Sequence, residues 1–335
     1  MELGLYTFGD RTADPVSGKK VSAKERFDQM MELATIADQA GLDIIGVGEH
    51  HQLNYVNSAT ATIIAAMAAV TKRIRFTSAS TSISTADPVR TFQEFATADL
   101  ASNGRVEIVF GRGAFTDNFP LFGFELKDYD ALFLEKIQLF DLLNTQEIVS
   151  WKGKFRPELI EAEIAPRPVQ QRLPVWIGAG SPPTVTRAAA MGYPLAIPVL
   201  GGTLPGYAQL AHLYQQVWTR SGRPLKDVRL AVFSHLQVTD GTAAALDAFY
   251  SYYAAYLSPL FQGTMPKHQF QQMIAPHGSL IAGGPQEVID KIMFLQQMGV
   301  DRYVGQIEIG GQPSNKVVKS IDLFAAKVAP AIRGK

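Results

Sequence analysis

Apolar residues recur along this chain in two alternating rhythms. In one, Phe27, Met30, Met31, Ala34 and Ala37 return every three or four positions, the spacing of a helix that buries one face. Ser22, with Glu25 three residues on, opens that helix as a capping box, and Gly41 ends it. In the other rhythm, short runs of apolar and β-branched residues follow a glycine, as in Asp43 to Val47. The succession of helix, glycine and strand repeats at Ala190 to Ile197 and at Gln296 to Tyr303, which is the joint of a repeating βα fold. Asp87-Pro88, Ser181-Pro182 and Gly284-Pro285 mark further helix starts, because proline at the first helical position loses no hydrogen bond.

The candidate strands are Leu3 to Phe8, Asp43 to Val47, Ile74 to Ser80, Arg105 to Phe110, Pro174 to Ile177, Pro194 to Val199, Val228 to Val238 and Tyr303 to Ile309. Many are continuous apolar runs rather than alternations, which suits a parallel sheet covered by helices. These eight strands and their helices predict an α/β fold, a (β/α)8 TIM barrel, read as one domain over residues 1–335. Two stretches exceed the barrel repeat. Trp151 to Arg172, with Pro157, Pro166 and Pro168, reads as an irregular excursion before the fifth strand. Phe261 to Ser279, carrying Gly263, Pro266, Pro276 and Gly278 together with His268 and His277, reads as a lid loop before the eighth strand, near the mouth.

Composition narrows the chemistry. With 31 basic and 31 acidic residues the chain has no net field to attract nucleic acid or an anionic membrane, and its expected substrate is not a polyanion. The absence of cysteine excludes a disulfide framework, a thiolate nucleophile and a Cys-bound metal. No run approaches the ~18 apolar residues of a spanning helix, and Met1 to Leu5 lacks the basic start of a secretory signal. The expected compartment is the cytoplasm.

In a parallel barrel the strand C-termini converge on one mouth, and three loops there carry candidate chemistry. After the second strand comes Glu49-His50-His51, which is either a packed strand end or a catalytic cluster. After the fourth comes Gly111-Arg112-Gly113. After the fifth comes Gly178-Ala179-Gly180-Ser181-Pro182-Pro183-Thr184, where glycines bare backbone N–H groups and a helix begins. A phosphate fits such a helix start, and Arg112 can add a bidentate donor. The competing reading is that Ser181 only caps and Arg112 pairs with a surface carboxylate. No metal site is expected: adjacent histidines in extended backbone point apart, and further ligands would have to come from residues such as Asp87 or Glu94. G-x-G-x-x-G, Walker, H-E-x-x-H and G-x-S-x-G sequences are all missing.

Five ordered motifs carry a resemblance over essentially the whole chain: Val47 to His51, Thr85 to Arg90, Gly104-Arg105 leading to Phe110 to Gly113, Phe119 to Gly123, and Ile281 to Val288. They resemble the bacterial luciferase-like, flavin-dependent monooxygenases. The resemblance implies that reduced FMN, supplied as a cosubstrate by a separate flavin reductase, reacts with O2 to a C4a-peroxyflavin that oxidises a small organic substrate. It implies that Arg112, Ser181, Thr184 and the backbone of Gly178, Ala179 and Gly180 bind the phosphate. Glu49, His50 and His51 are then the catalytic candidates, with His50 near the flavin C4a as donor or proton relay and His51 available for a structural part. It further implies a cis peptide at Ala79-Ser80 against the flavin ring, and a homodimer through the helices carrying Ala59 to Val70 and Val89 to Ala101. Phe8, Tyr55, Phe115 and Phe119 either form an apolar substrate pocket or pack in the core. An F420-dependent oxidoreductase and a non-catalytic flavin-binding protein are the alternatives on the same fold.

Overall fold

A computed structural model of the protein describes residues 1–113, 116–259 and 263–334. Eight strands run parallel in a ring: β1 (Glu2–Thr7), β2 (Ile44–Val47), β3 (Arg75–Ser78), β4 (Val106–Gly111), β5 (Val175–Gly178), β6 (Leu195–Val199), β7 (Leu230–Val238) and β8 (Arg302–Gln306). Each pairs with the next, and β8 closes on β1 with Glu2 opposite Arg302 and Leu5 opposite Gly305. The chain therefore forms the expected barrel from the eight expected strands.

Both faces of these strands are buried, which is why their sequences read as unbroken apolar runs. Leu5, Ile45 and Ile108 face the surrounding helices in the large core, while their neighbours Tyr6, Ile44 and Val109 join Trp176, Ala196, Ala231, Phe233 and Val304 inside the ring. Aspartates just ahead of two strands stitch neighbours together. Asp43 accepts from the Leu3 N–H at 2.8 Å, and Asp301 accepts from the Leu230 N–H at 2.8 Å.

The N-terminal end of the barrel is closed by charge. Arg302 donates through both terminal nitrogens to the carboxylate of Glu107, one of them at 3.1 Å, and its Nε donates to Glu2 at 2.7 Å. Its guanidinium also lies 4.5 Å from the centre of the Trp176 ring. Arg302 and Glu107 are both nearly inaccessible, so the pair spans the barrel floor from β8 to β4.

The two insertions differ from their sequence reading. The first is entered through a hairpin, in which Ile148–Trp151, leading into it, pairs antiparallel with Leu159–Glu163 inside it. In the second, Lys267–Ile274 is a helix whose Phe270 is buried with Phe249, Tyr253 and Leu257 in a separate small core. The glycines and prolines around it disguised a helix anchored by one aromatic residue. Lys291 holds the following turn from below, its buried Nζ donating to the carbonyls of Gly278 and Leu280 at 3.3 and 2.6 Å. Burial lowers the Lys291 pKa to about 8. Phe261, at the start of the proposed lid, lies outside the described residues. A three-residue strand, Ile281–Gly283, adds to the far end of β7 and was too short to read from sequence.

Removing one member of a buried ion pair strands the other charge in low dielectric. Glu107→Ala should therefore lower stability by about 3–5 kcal/mol, whereas Glu2→Ala, at a side chain 41% exposed, should cost about 1 kcal/mol or less. Urea unfolding of the two variants checks this, and equal midpoints would remove the floor pair from the account of barrel closure.

Candidate active site

At the opposite end the strands open on a cavity of about 440 Å³. Its wall includes the eleven residues expected to act in catalysis or to hold the cofactor: Glu49, His50, His51, Ala79, Ser80, Arg112, Gly178, Ala179, Gly180, Ser181 and Thr184. They come from the ends of β2, β3, β4 and β5, whose parallel pairing puts every C-terminus on the same rim.

The two histidines meet different surroundings. The Glu49 carboxylate is fixed by the Ser82 N–H at 3.1 Å and faces His51 Nε2 at 3.0 Å. His51 in turn presents its ring to the edge of Phe122, with centroids 4.9 Å apart. His50 turns the other way. Its ring stacks on Tyr55 at 4.2 Å and meets Phe8 edge-on at 4.6 Å. Burial lowers the His50 pKa to about 4, against the opposing pull of Asp117, so the imidazole is neutral at pH 7. A neutral ring offers one donor and one acceptor.

The Ala79–Ser80 peptide is cis, as the resemblance implied. Gly111 packs close beside it, so that a Cβ there would stand 2.5 Å from Ser80 Oγ and push that hydroxyl aside. Phe8 lines the cavity and Tyr55 backs His50, whereas Phe119 is fully buried and stacked on Tyr129 at 5.3 Å. Phe115 lies outside the described residues.

The basic end of the cavity is built around one helix, Pro182–Met191. Ser181 precedes it in extended backbone, and the Thr184 hydroxyl folds back to accept from the Ser181 N–H at 3.2 Å and to donate to its carbonyl at 2.9 Å. Arg112 lies over the Tyr129 ring at 4.9 Å and donates to Asp130 Oδ1 at 2.7 Å. The competing sequence reading of Arg112 thus describes a real contact. It is incomplete, because Arg187 donates to the same oxygen at 3.0 Å. The hydrogen bonds from Arg187 and then Arg112 hold the Asp130 carboxyl below its usual range. Two guanidiniums thus share one carboxylate beside this end of the cavity.

Sequence reading missed Arg187 and Asn118. Arg187 could have been found from its spacing, one turn after Thr184 on the same helix. Asn118 had no such signal in its spacing along the chain, yet it lines the cavity. There its Nδ2 donates to Thr85 Oγ1 at 3.1 Å, while its buried Oδ1 has no hydrogen-bond partner. Asp87 caps the helix Pro88–Ser102 and pairs with Arg156. Among the described residues no group of three or more His, Asp or Glu side chains is arranged to hold a metal. No helix among them is long and apolar enough to cross a membrane.

Comparison with known proteins adds the following. A family model described as luciferase-like monooxygenase matches residues 1–302. The chain is 25% identical to the oxygenase component of flavin-dependent trigonelline monooxygenase from Acinetobacter baylyi, over 99% of this chain and 95% of that one. It is 34% identical to F420-dependent glucose-6-phosphate dehydrogenase from Amycolatopsis mediterranei, over 52% of this chain and 55% of that one. Its fold superimposes with a TM-score of 0.81 and 18% identity, over 99% of both chains, on the oxygenating constituent of 3,6-diketocamphane monooxygenase from Pseudomonas putida in complex with FMN.

The site has a stability signature. His50 and His235, the latter buried and 2.9 Å from the Tyr253 hydroxyl, both have pKa values lowered by burial from 6.5 to about 4. Between those values the unfolded chain binds more protons than the folded one. Their contribution is therefore complete above pH 6.5 and is lost as the pH falls towards 4. Urea unfolding between pH 7.5 and 5 should show stability falling by up to about 2.7 kcal/mol per pH unit, with a shallower slope in His235→Phe. A flat profile would contradict two buried neutral imidazoles.

Proposed function

The chain belongs to the luciferase-like monooxygenase family, and on that premise we propose that it is the oxygenase component of a two-component system. It takes reduced FMN from a separate flavin reductase and uses O2 to oxidise a small, uncharged organic substrate. One observation carries this reading: a basic, helix-capped phosphate end and a Glu49–His50–His51 wall border a single cavity. The relative matched over 99% of the chain, a flavin-dependent oxygenase component, supports it.

The residues present suit a flavin. A volume of about 440 Å³ lies within the usual range for cofactor pockets. Arg112, Ser181, Thr184 and the Gly178 to Gly180 backbone would hold the phosphate, and the orphaned Asn118 Oδ1 offers an acceptor to a ring N–H or a ribityl hydroxyl. When bound, reduced FMN would supply the activation of O2. The protein's part is to hold the ring against Ala79 and Ser80, to exclude water with Phe8, Val109 and Phe233, and to hold or pass a proton at the His50 ring. A second reading, an F420-dependent oxidoreductase, is kept by the 34% identical relative.

Titration of the purified protein with FMN and with F420, followed by fluorescence, separates the two. FMN should bind, and Arg112→Ala should weaken it by about 1.5–3 kcal/mol. Binding of F420 alone would overturn the choice of cofactor, and unchanged FMN affinity in the variant would move the phosphate elsewhere. His50→Ala should retain FMN affinity but release hydrogen peroxide faster when a reductase supplies reduced FMN, read by a peroxidase-coupled assay. An unaltered rate would remove His50 from the oxygen chemistry.

A further inference from the structure

At the basic end of the cavity two like charges converge on one atom. Arg112 and Arg187 both donate to Asp130 Oδ1, at 2.7 and 3.0 Å. Guanidiniums brought this close repel unless an anion lies between them. Asp130 is that anion, and it is the most exposed member of the three. Its side chain is 56% exposed, against 25% for Arg112 and 31% for Arg187.

The arginines are braced and the aspartate is not. Arg112 lies on the Tyr129 ring, and the Tyr129 hydroxyl donates to the Gly113 carbonyl at 3.0 Å. Arg187 stands on a helix fixed at both ends. Thr184 closes its start, and Arg223 donates to the carbonyls of Ala189 and Ala190 near its end, both at 3.1 Å. A separate void of about 10 Å³ has Arg187 in its wall together with Arg112, Gly178 and Thr184, so the second guanidinium lies beside three residues of the phosphate end. Asp130, in the first turn of Tyr129–Thr145, can turn into water without moving any of these supports.

We propose that Arg187 is the second guanidinium of the phosphate site and that Asp130 competes with the phosphate monoester for both arginines. The proposal rests on the reading that a flavin phosphate binds beside Ser181. Asp130 keeps the two cations together and offsets one of them, so it sets the affinity below what the arginines alone would give. A cosubstrate that must leave to be reduced again by another protein needs such a limit. A phosphate dianion presents more charge and more acceptor oxygens than one carboxylate, so it displaces Asp130 where a neutral ribityl terminus does not.

Fluorescence titration with FMN and with riboflavin, which lacks the phosphate, tests both residues. Asp130→Asn should bind FMN about five-fold or more tighter, and Arg187→Met about ten-fold or more weaker, the size of one charge-assisted bond. Riboflavin affinity should stay unchanged in both. Unchanged or weaker FMN binding in Asp130→Asn would make Asp130 an organiser of the arginines and overturn the competition. Equal losses of FMN and riboflavin in Arg187→Met would show distortion rather than phosphate contact. Melting curves with and without inorganic phosphate separate this proposal from the cofactor reading. If FMN does not bind the wild type at all, phosphate should still raise the melting temperature more in Asp130→Asn than in the wild type, and an equal rise would end the proposal.

Discussion

The mouth of this protein is held in shape by what happens at its floor. β8 must lie down on β1 to close the ring, and the residues that meet at that seam include Arg302 and Glu2. Arg302 also reaches across the interior to Glu107 on β4 and lies against Trp176 on β5. A buried charge that is satisfied by only one arrangement of strands penalises every other register, because a slipped strand would leave it unpaired. With the register fixed at the floor, the lengths of the strands fix which residues reach the rim. Glu49, Ser80, Arg112 and Ser181 are neighbours for that reason, though they lie far apart in the chain.

The rim then sorts residues that look alike in the sequence. His50 and His51 are adjacent, but extended backbone sends one ring between Phe8 and Tyr55 and the other to Glu49. The first is desolvated and neutral. The second sits in hydrogen-bond reach of a carboxylate whose other oxygen is tied to the Ser82 backbone. One tripeptide thus supplies two environments of different polarity on the same cavity wall.

A neutral chain has also made a locally positive site. The 31 acidic and 31 basic residues cancel overall, yet at the start of the helix Pro182–Met191 two guanidiniums face one carboxylate. The helix dipole adds to the same sign. A net charge of zero therefore says nothing against one small anion held locally, and the distinction is one of distance, since solvent ions screen the sum but not a partly buried cluster.

Local sequence determined a great deal here. Continuous apolar runs can be buried on both faces only in a covered parallel sheet, so Asp43 to Val47 and its counterparts announced the barrel, and the glycine, proline and cap residues announced its joints. The three loops that line the cavity were legible because a parallel barrel gathers all its C-terminal ends. Tertiary structure alone decided the rest. It made a packed helix of Lys267–Ile274, because Phe270 found a core that no local pattern displays. It brought Asn118 to the cavity and set Asp130 between Arg112 and Arg187, since the meeting of side chains from different elements depends on the closed ring and not on spacing along the chain. It also desolvated the His50 ring between Phe8 and Tyr55, because burial depends on which side chains the closed barrel packs around a group.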